Sequence, residues 1–229
     1  MSTLLAQISD LHIGVHDTDS HTACVRAVER LLALKPLPDA VLVSGDTANT
    51  GAPGEHELAR ELFAALPMPI HHVAGNHDLF ARRAEYVTSV GPLRLVVADT
   101  SIHGRDDGAL DVPRLAATLD ADTPTIIAMH HPPIRIGMPW IDDIRLQNDE
   151  ELAALLRTKS NVLAVLCGHV HRTATGVCGG VPVHTCTAAY QQAVLEIGAS
   201  EAVLGDDPPS LLVHAYLDSG ELVTHVQPI

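Results

Sequence analysis

Aromatic side chains are scarce in this sequence: one Trp, three Tyr and two Phe make up 3% of its 229 residues. A core must then be built from Ala, Val, Leu and Ile, which an apolar content of 46% supplies. Basic residues are few as well, 14 Lys and Arg against 28 Asp and Glu, for a formal net charge of −14. Displacing counterions from a duplex takes clustered positive charge, so polymeric nucleic acid is not an expected partner. A small phosphorylated substrate stays open, because bound metal ions invert the local field. The four cysteines, Cys24, Cys167, Cys178 and Cys186, form no Cys-x-x-Cys and no disulfide framework. Reduced, buried thiols are expected, with a Cys178–Cys186 bridge across a hairpin as the alternative. Nowhere do apolar residues run to the roughly 18 that span a membrane. Leu4-Leu5-Ala6 also lacks the preceding basic region of a signal peptide. A cytoplasmic protein with no membrane partner is the expectation.

What is present is alternation. The length fits one α/β domain over residues 1–229. Short β-branched runs at Leu4–Ile8, Ala40–Val43, Ile70–Val73, Leu93–Ala98, Thr125–Met129 and Val162–Leu166 predict buried strands. Between them, helical periodicity is read at Thr22–Leu34, Glu55–Ala65, Leu79–Thr88, Val112–Leu119 and Glu150–Arg157. Such alternation argues for β-α-β units and parallel strands. Past Cys167 the pattern changes to hairpins, Thr173–Cys178 with Val181–Thr185 and Ser210–Leu217 with Glu221–Val226.

The residues that follow the strands carry the chemistry. They read Ser9-Asp10-Leu11-His12, Gly45-Asp46-Thr47-Ala48-Asn49, Gly75-Asn76-His77-Asp78, His130-His131-Pro132-Pro133 and Gly168-His169-Val170-His171. Ligands of open parallel sheets bind beyond the carboxyl ends of the strands, so these five loops are expected to converge. Asp10/His12 and His169/His171 are spaced i, i+2, which in an extended segment aims each pair at one point. Gly45, Gly75 and Gly168 each precede a candidate ligand, where glycine allows sharp turns and close approach of a metal or phosphate. Each motif alone is common in folded proteins; five of them, each directly after an apolar strand, are not explained by packing. His16, His21, His56, His71, His72, His103, His184, His214 and His225 lack that context and are read as surface or satisfied interior histidines.

Imidazole, carboxylate and amide oxygen together suit manganese, iron or zinc better than calcium or magnesium. Seven ligands exceed one tetrahedral site but suit two ions sharing a bridge. Two dications about 3.5–4 Å apart repel by roughly 20 kcal/mol at an effective dielectric of ~20, so the bridge must be anionic, and Asp46 is the natural one. With Asp10, Asp46 and a hydroxide the formal charge is +1, which a singly charged diester completes; Arg135 or Arg172 nearby would favour a dianionic monoester instead.

Asp10-x-His12, Gly45-Asp46, Gly75-Asn76-His77, His130-x-Pro132 and Gly168-His169-x-His171, in this order over residues 10 to 171, resemble the calcineurin-like metallophosphoesterase superfamily. Within it, His130-His131-Pro132-Pro133, Gly137, Trp140-Ile141-Asp142, Leu146-x-Asn148, Asp99-Thr100-Ser101 and Gly108-Ala109-Leu110 look like the class III cyclic nucleotide phosphodiesterases. The resemblance implies a four-layer α-β-β-α sandwich of two mixed sheets. It implies that Asp10, His12 and His171 hold one ion and Asn76, His130 and His169 the other, with Asp46 between. Manganese or iron stand ahead of zinc. It implies that His77 lies beside the phosphate as general acid or electrostatic donor, that Asn76 also meets substrate, and that His130, not His131, is the ligand. Asn49 departs from the aspartate of many relatives and is expected to alter hydrogen bonding around the metals. Trp140 has two readings, a platform for a nucleobase or an anchor for the Ile134–Asn148 loop. Dimers occur in the resembled branch, so a homodimer is one expected assembly.

The expected reaction is therefore in-line attack by a metal-bridging hydroxide on cyclic nucleotides of the 3′,5′-cAMP kind or other small phosphodiesters. A phosphomonoesterase or nucleotide pyrophosphohydrolase on the same site, and a non-catalytic scaffold of the same fold, are the alternatives.

Overall fold

In the computed structural model residues 2–78, 85–119 and 122–229 are described. A β-α-β-α-β run opens the chain: β1 (Thr3–Ile8), α1 (Thr18–Ala33), β2 (Ala40–Val43), α2 (Pro53–Phe63) and β3 (Ile70–His72). The middle holds β4 (Tyr86–Val90), β5 (Leu93–Val97), α3 (Val112–Thr118), β6 (Thr125–Ala128), α4 (Pro139–Asp142), α5 (Asp149–Leu156) and β7 (Val162–Cys167). Then come β8 (Ala174–Cys178), β9 (Val181–Thr185), β10 (Gln192–Ala193), β11 (Leu204–Gly205), β12 (Ser210–Tyr216) and β13 (Leu222–Pro228).

Two mixed sheets result, β13-β12-β1-β2-β3 and β4-β5-β6-β7-β9-β8. Within them β1-β2-β3 and β5-β6-β7-β9 are parallel, and the other pairs are antiparallel. Strand alternation sorts every second apolar side chain into a different layer. Leu5, Leu42, Leu95, Val97, Ile126, Ala128, Ala164 and Leu166 share one core between the sheets. Their neighbours Ala6, Ile8, Val41 and Val43 pack outward with Cys24, Val28 and Leu31 of α1 and with Ala59 and Phe63 of α2. On the other side Val96, Ile127, Val165 and Cys167 pack with Leu115 of α3 and Leu152 and Leu156 of α5. The fold is thus the four-layer α-β-β-α sandwich. Each fully buried aliphatic side chain of this kind contributes about 1.5–3 kcal/mol, which offsets the shortage of aromatics.

Two sequence expectations change. Residues 79–84 of the expected Leu79–Thr88 helix lie outside the described residues, and Tyr86–Thr88 is strand, paired antiparallel with β5 through a turn at Gly91 (φ 56°). Burial there alternates residue by residue along Tyr86-Val87-Thr88-Ser89-Val90, a period of two in a β-branched segment. Helix α1 begins at Thr18, four residues earlier than expected, because the Asp17 carboxylate accepts from the backbone N–H groups of Asp19 and Ser20 at 3.0 and 3.3 Å. All four cysteines are free and buried, so Cys178 and Cys186 are not bridged. Among the described residues no helix is long and apolar enough to cross a membrane.

Candidate metal centre

The loops after β1, β2, β3, β6 and β7 meet where the two sheets come together, three from one sheet and two from the other. Main-chain bonds stitch them: Asp10 N donates to Gly45 O, His12 N to Asp46 O and Gly168 N to His130 O. The two carboxylates do the same from their side chains. Asp10 accepts from the backbone N–H of His169 at 3.0–3.1 Å, and Asp46 Oδ1 accepts from that of His77 at 2.8 Å.

All seven expected ligands come together. Asp10, His12 and His171 form one group, and Asp46 lies against both His12 and His130. His12 Nε2 is 3.0 Å from His171 Nε2. His171 Nε2 is 3.6 Å from Asp10 Oδ1, and Asp46 Oδ2 is 3.8 Å from His12 Nε2 and 3.2 Å from His130 Nε2. On the other side Asn76 Oδ1 is 3.1 Å from both His130 Nε2 and His169 Nδ1. The i, i+2 pair His169/His171 therefore divides between the two groups, where extended geometry had predicted a common point. The backbone is not extended there. Among the described residues six non-glycine positions have positive φ: Asp10, His12, Asp46, His169, His171 and Gln191. Five are expected ligands, and the sixth, Gln191, accepts from His171 Nδ1 through its main-chain carbonyl. Left-handed backbone at such residues costs on the order of 1–3 kcal/mol each, and its confinement to this cluster marks a functional constraint.

The donor chemistry fits metal. A main-chain carbonyl only accepts, so the ring nitrogen facing it carries the proton. His130 Nδ1 faces Ser44 O at 2.8 Å, His169 Nε2 faces Ile144 O at 3.0 Å and His171 Nδ1 faces Gln191 O at 2.8 Å. Their inward nitrogens are thereby assigned as the lone-pair atoms for a cation, alongside the acceptors Asp10, Asp46 and Asn76 Oδ1. His171 Nε2, so assigned, lies 3.0 Å from His12 Nε2, near enough for both nitrogens to hold one cation. His131 belongs to a His130–His131–His169 cluster, but its nitrogens are spent, Nε2 on Asp106 O at 3.1 Å and Nδ1 on the Thr100 hydroxyl at 2.8 Å. Burial, with His130 beside it, pushes His131 down to about 3, so it stays neutral.

Without metal the site holds its own counter-ion. Burial opposes charge on His130, but Asp46 and then Asp10 outweigh it and raise the imidazole to about 10. The same contact holds Asp46 well below the usual carboxylate range against the burial that would raise it. Burial lowers His12 to about 3. A ligand must be unprotonated, so loading His130 is expected to release about one proton at pH 7–8, and affinity to rise with pH up to about 10. The sign for the metal-free fold is opposite. A raised pKa contributes stability that is complete below the unfolded value near 6.5 and is lost as pH rises through about 10. Calorimetry in buffers of different ionisation enthalpy counts the proton; a count of zero rejects the assignment.

Three glycines act differently from expectation. A Cβ on Gly45 would fall on the His130 ring, one on Gly75 on the Asp46 carboxylate, and one on Gly168 on Ser9 Oγ and Asp10 Oδ2. They make room for ligand side chains from neighbouring loops rather than for metal or phosphate; only Gly45 (φ 107°) also needs a positive φ. Sequence reasoning missed Asp78, whose buried carboxylate accepts from Thr47 N, Ala48 N and Gly75 N and so locks the Asp46 loop to the Asn76 loop. Its place after Gly-Asn-His was the available signal. The carbonyls of Ser44, Ile144 and Gln191 had none.

Around this centre, the ring of His77 stands edge-on to that of His12, centroids 4.7 Å apart, with Nδ1 donating to Asn49 O at 2.6 Å. Asn49 thus meets the site through its backbone, while the residue itself is exposed. Trp140 is half-buried against Met138, Ile141, Val170 and Ala193, an anchoring contact. Its loop reaches the metal centre through Ile144 O. The Asn148 amide pairs with both backbone groups of Leu110.

A calcineurin-like phosphoesterase family model matches residues 3–173. The chain is 31% identical to a probable glycerophosphodiester phosphodiesterase of Arcobacter nitrofigilis, over 97% of this chain and 92% of that protein. It is 32% identical to a 3′,5′-cyclic adenosine monophosphate phosphodiesterase of Pseudomonas aeruginosa, over 75% and 70%. In structure it is similar to a dimetal phosphatase from Danio rerio, with a TM-score of 0.75 at 15% identity over 99% of this chain and 96% of that one.

Proposed function

The chain belongs to the calcineurin-like phosphoesterase family and is a phosphoric ester hydrolase, and from that premise we propose that it cleaves small phosphodiesters, cyclic nucleotides of the 3′,5′-cAMP type among them, with two divalent ions. Asp10, His12 and His171 would hold one ion, Asn76, His130 and His169 the other, and Asp46 both. Manganese or iron suits this mixed nitrogen and oxygen set, with zinc third. When bound, the ions supply Lewis acidity to the attacking water and to the phosphoryl oxygens. Asp46 supplies the negative charge that lets two cations share the site. The Asn76 amide and His77 face the phosphate, and His77 protonates the leaving oxygen. Trp140, besides anchoring the loop that positions His169, is only half-buried and would offer its open face to the base of a nucleotide.

The observation that carries the diester reading is the fate of the two cations that could favour a monoester: Arg135 is exposed, and Arg172 is engaged elsewhere. Arg172 donates to Ala193 O at 2.9 Å and to Asp207 at 3.1 Å. With Arg172 so neutralised, two dications against Asp10, Asp46 and one ionised water leave a formal +1, matched by one diester charge. The names of the two relatives also denote singly charged diesters. Rates on bis-p-nitrophenyl phosphate and p-nitrophenyl phosphate test the reading, followed by 2′,3′- and 3′,5′-cyclic nucleotides and a glycerophosphodiester. The diester is expected to lead in kcat/KM by about tenfold or more. A faster monoester moves the assignment to a phosphomonoesterase or nucleotide pyrophosphohydrolase.

A further inference from the structure

We propose that a buried hydrogen-bonded chain, from His214 through Gln7, Ser44 and Ser9, orients the Asp10 carboxylate for metal, which makes Gln7 and His214 positioning residues of the site. Both were read from sequence as unremarkable, Gln7 as part of a strand and His214 as a surface or satisfied interior histidine. The inference rests on the assignment of Asp10 as a ligand.

Gln7, Ser9, Ser44 and His214 are each fully buried, and they occupy the space between the two sheets. Along β1 the inward side chains are Leu5 and then Gln7, so the apolar inter-sheet core gives way to polar groups as it nears the metal centre. Every bond has a defined direction. Cys167 O can only accept, so the group 2.9 Å from it is the Gln7 amide nitrogen, whose second hydrogen goes to Ser44 Oγ at 2.8 Å. Gln7 Oε1 can only accept, so His214 donates from Nε2 at 3.0 Å. Burial pushes His214 down to about 3, so its other nitrogen is bare and takes the Thr224 hydroxyl proton at 2.9 Å. Ser44 Oγ, having accepted from Gln7, passes its own proton to Ser9 Oγ at 2.7 Å, the shorter of its two acceptors, with Ile8 O at 3.4 Å. The Ser9 hydroxyl and Asp10 Oδ2 face one point above Gly168, where a Cβ would fall on both, and the hydroxyl's bond to the carboxyl pulls against the burial that raises it.

All the dipoles therefore point their positive ends at Asp10, and aligned bonds in a dry interior polarise one another. Asp10 receives the His169 N–H as well. Two donors from different loops fix the carboxylate in rotation, with its remaining lone pairs available to a cation. Gln7 also joins the sheets directly, β1 to the Cys167 carbonyl of β7, so the orientation of Asp10 is tied to the spacing of the two layers that bring the ligands together.

Calorimetric titration of metal-stripped protein with manganese(II) decides the matter, in the full chain and in Ser9→Ala, Gln7→Glu and His214→Phe. Ser9→Ala removes the final donor and almost no volume. Gln7→Glu keeps the shape but presents an acceptor to Ser44, which reverses the chain. His214→Phe removes the donor at the far end and stands in should the buried Glu prevent folding. Each folded variant is expected to weaken one of two binding steps by about 10–100-fold, as for lost partners of metal ligands, and to leave the other within about threefold. Ser9→Ala/Gln7→Glu is expected to bind no more weakly than Ser9→Ala alone, because the chain is already cut. General loosening would instead lower both steps together. Equal loss in both steps, unchanged affinities in Ser9→Ala, an unaffected His214→Phe, or additive losses in the double variant each overturn the proposal while the dinuclear assignment stands. A wild-type protein that binds fewer than two ions removes both.

Discussion

His77→Ala is expected to lower kcat by about 10²–10⁴-fold while the protein keeps its full metal content. The bond from His77 to the bridging carboxylate is made by its backbone N–H, 2.8 Å from Asp46 Oδ1, and alanine retains it. The side chain is held separately, with Nδ1 donating to Asn49 O at 2.6 Å, which leaves Nε2 for the leaving oxygen. The effect should depend on the leaving group. A nitrophenolate departs without much protonation, an alkoxide does not, so the loss is expected to be larger for a 3′,5′-cyclic nucleotide than for bis-p-nitrophenyl phosphate. Elemental analysis and rates on one preparation separate the possible roles. Loss of an ion would make His77 a ligand, in keeping with its place in the His12–Asp46–His77 group, and unchanged turnover would remove it from the mechanism.

The second large effect belongs to Asp46→Asn. The substitution keeps the side-chain shape and an oxygen for His77 N but deletes the charge 3.2 Å from His130 and 3.8 Å from His12. Two cations that share a site without that charge face most of their mutual repulsion. Stoichiometry at micromolar metal is expected to fall from two ions to one, and turnover by on the order of 10³-fold. In the metal-free protein the same change removes the main partner that, with Asp10, raises His130 to about 10, so fewer protons should be released on metal binding. Two ions bound as tightly as in the parent protein would show that Asp46 is not the bridge.

Much of the site was legible because ligand type is a property of residue identity. Asp10, His12, Asp46, Asn76, His130, His169 and His171 each follow a run of apolar residues that could only be a strand, and parallel strands put such ends together. The layers were legible for a similar reason, since Leu5 and Ala6, or Ile126 and Ile127, must face opposite ways. The helix expected at Leu79–Thr88 fails at its strand end, Tyr86–Thr88, because pairing with β5 decides that segment.

The sequence by itself determined which side chains are candidate metal ligands, the order in which they occur and the reaction class that follows from them. The resemblance implied how those candidates divide, but the geometry that separates His169 from His171 despite their spacing was decided only in the tertiary structure, where bonds between distant loops impose left-handed backbone at Asp10, His12, Asp46, His169 and His171. The carbonyls of Ser44, Ile144 and Gln191, which fix the tautomers of three ligands, belong to a backbone that is the same at every residue. Gln7 and His214 lie more than two hundred residues apart and meet only when β1 pairs with β12. Their role depends on that contact, which no spacing along the chain announces.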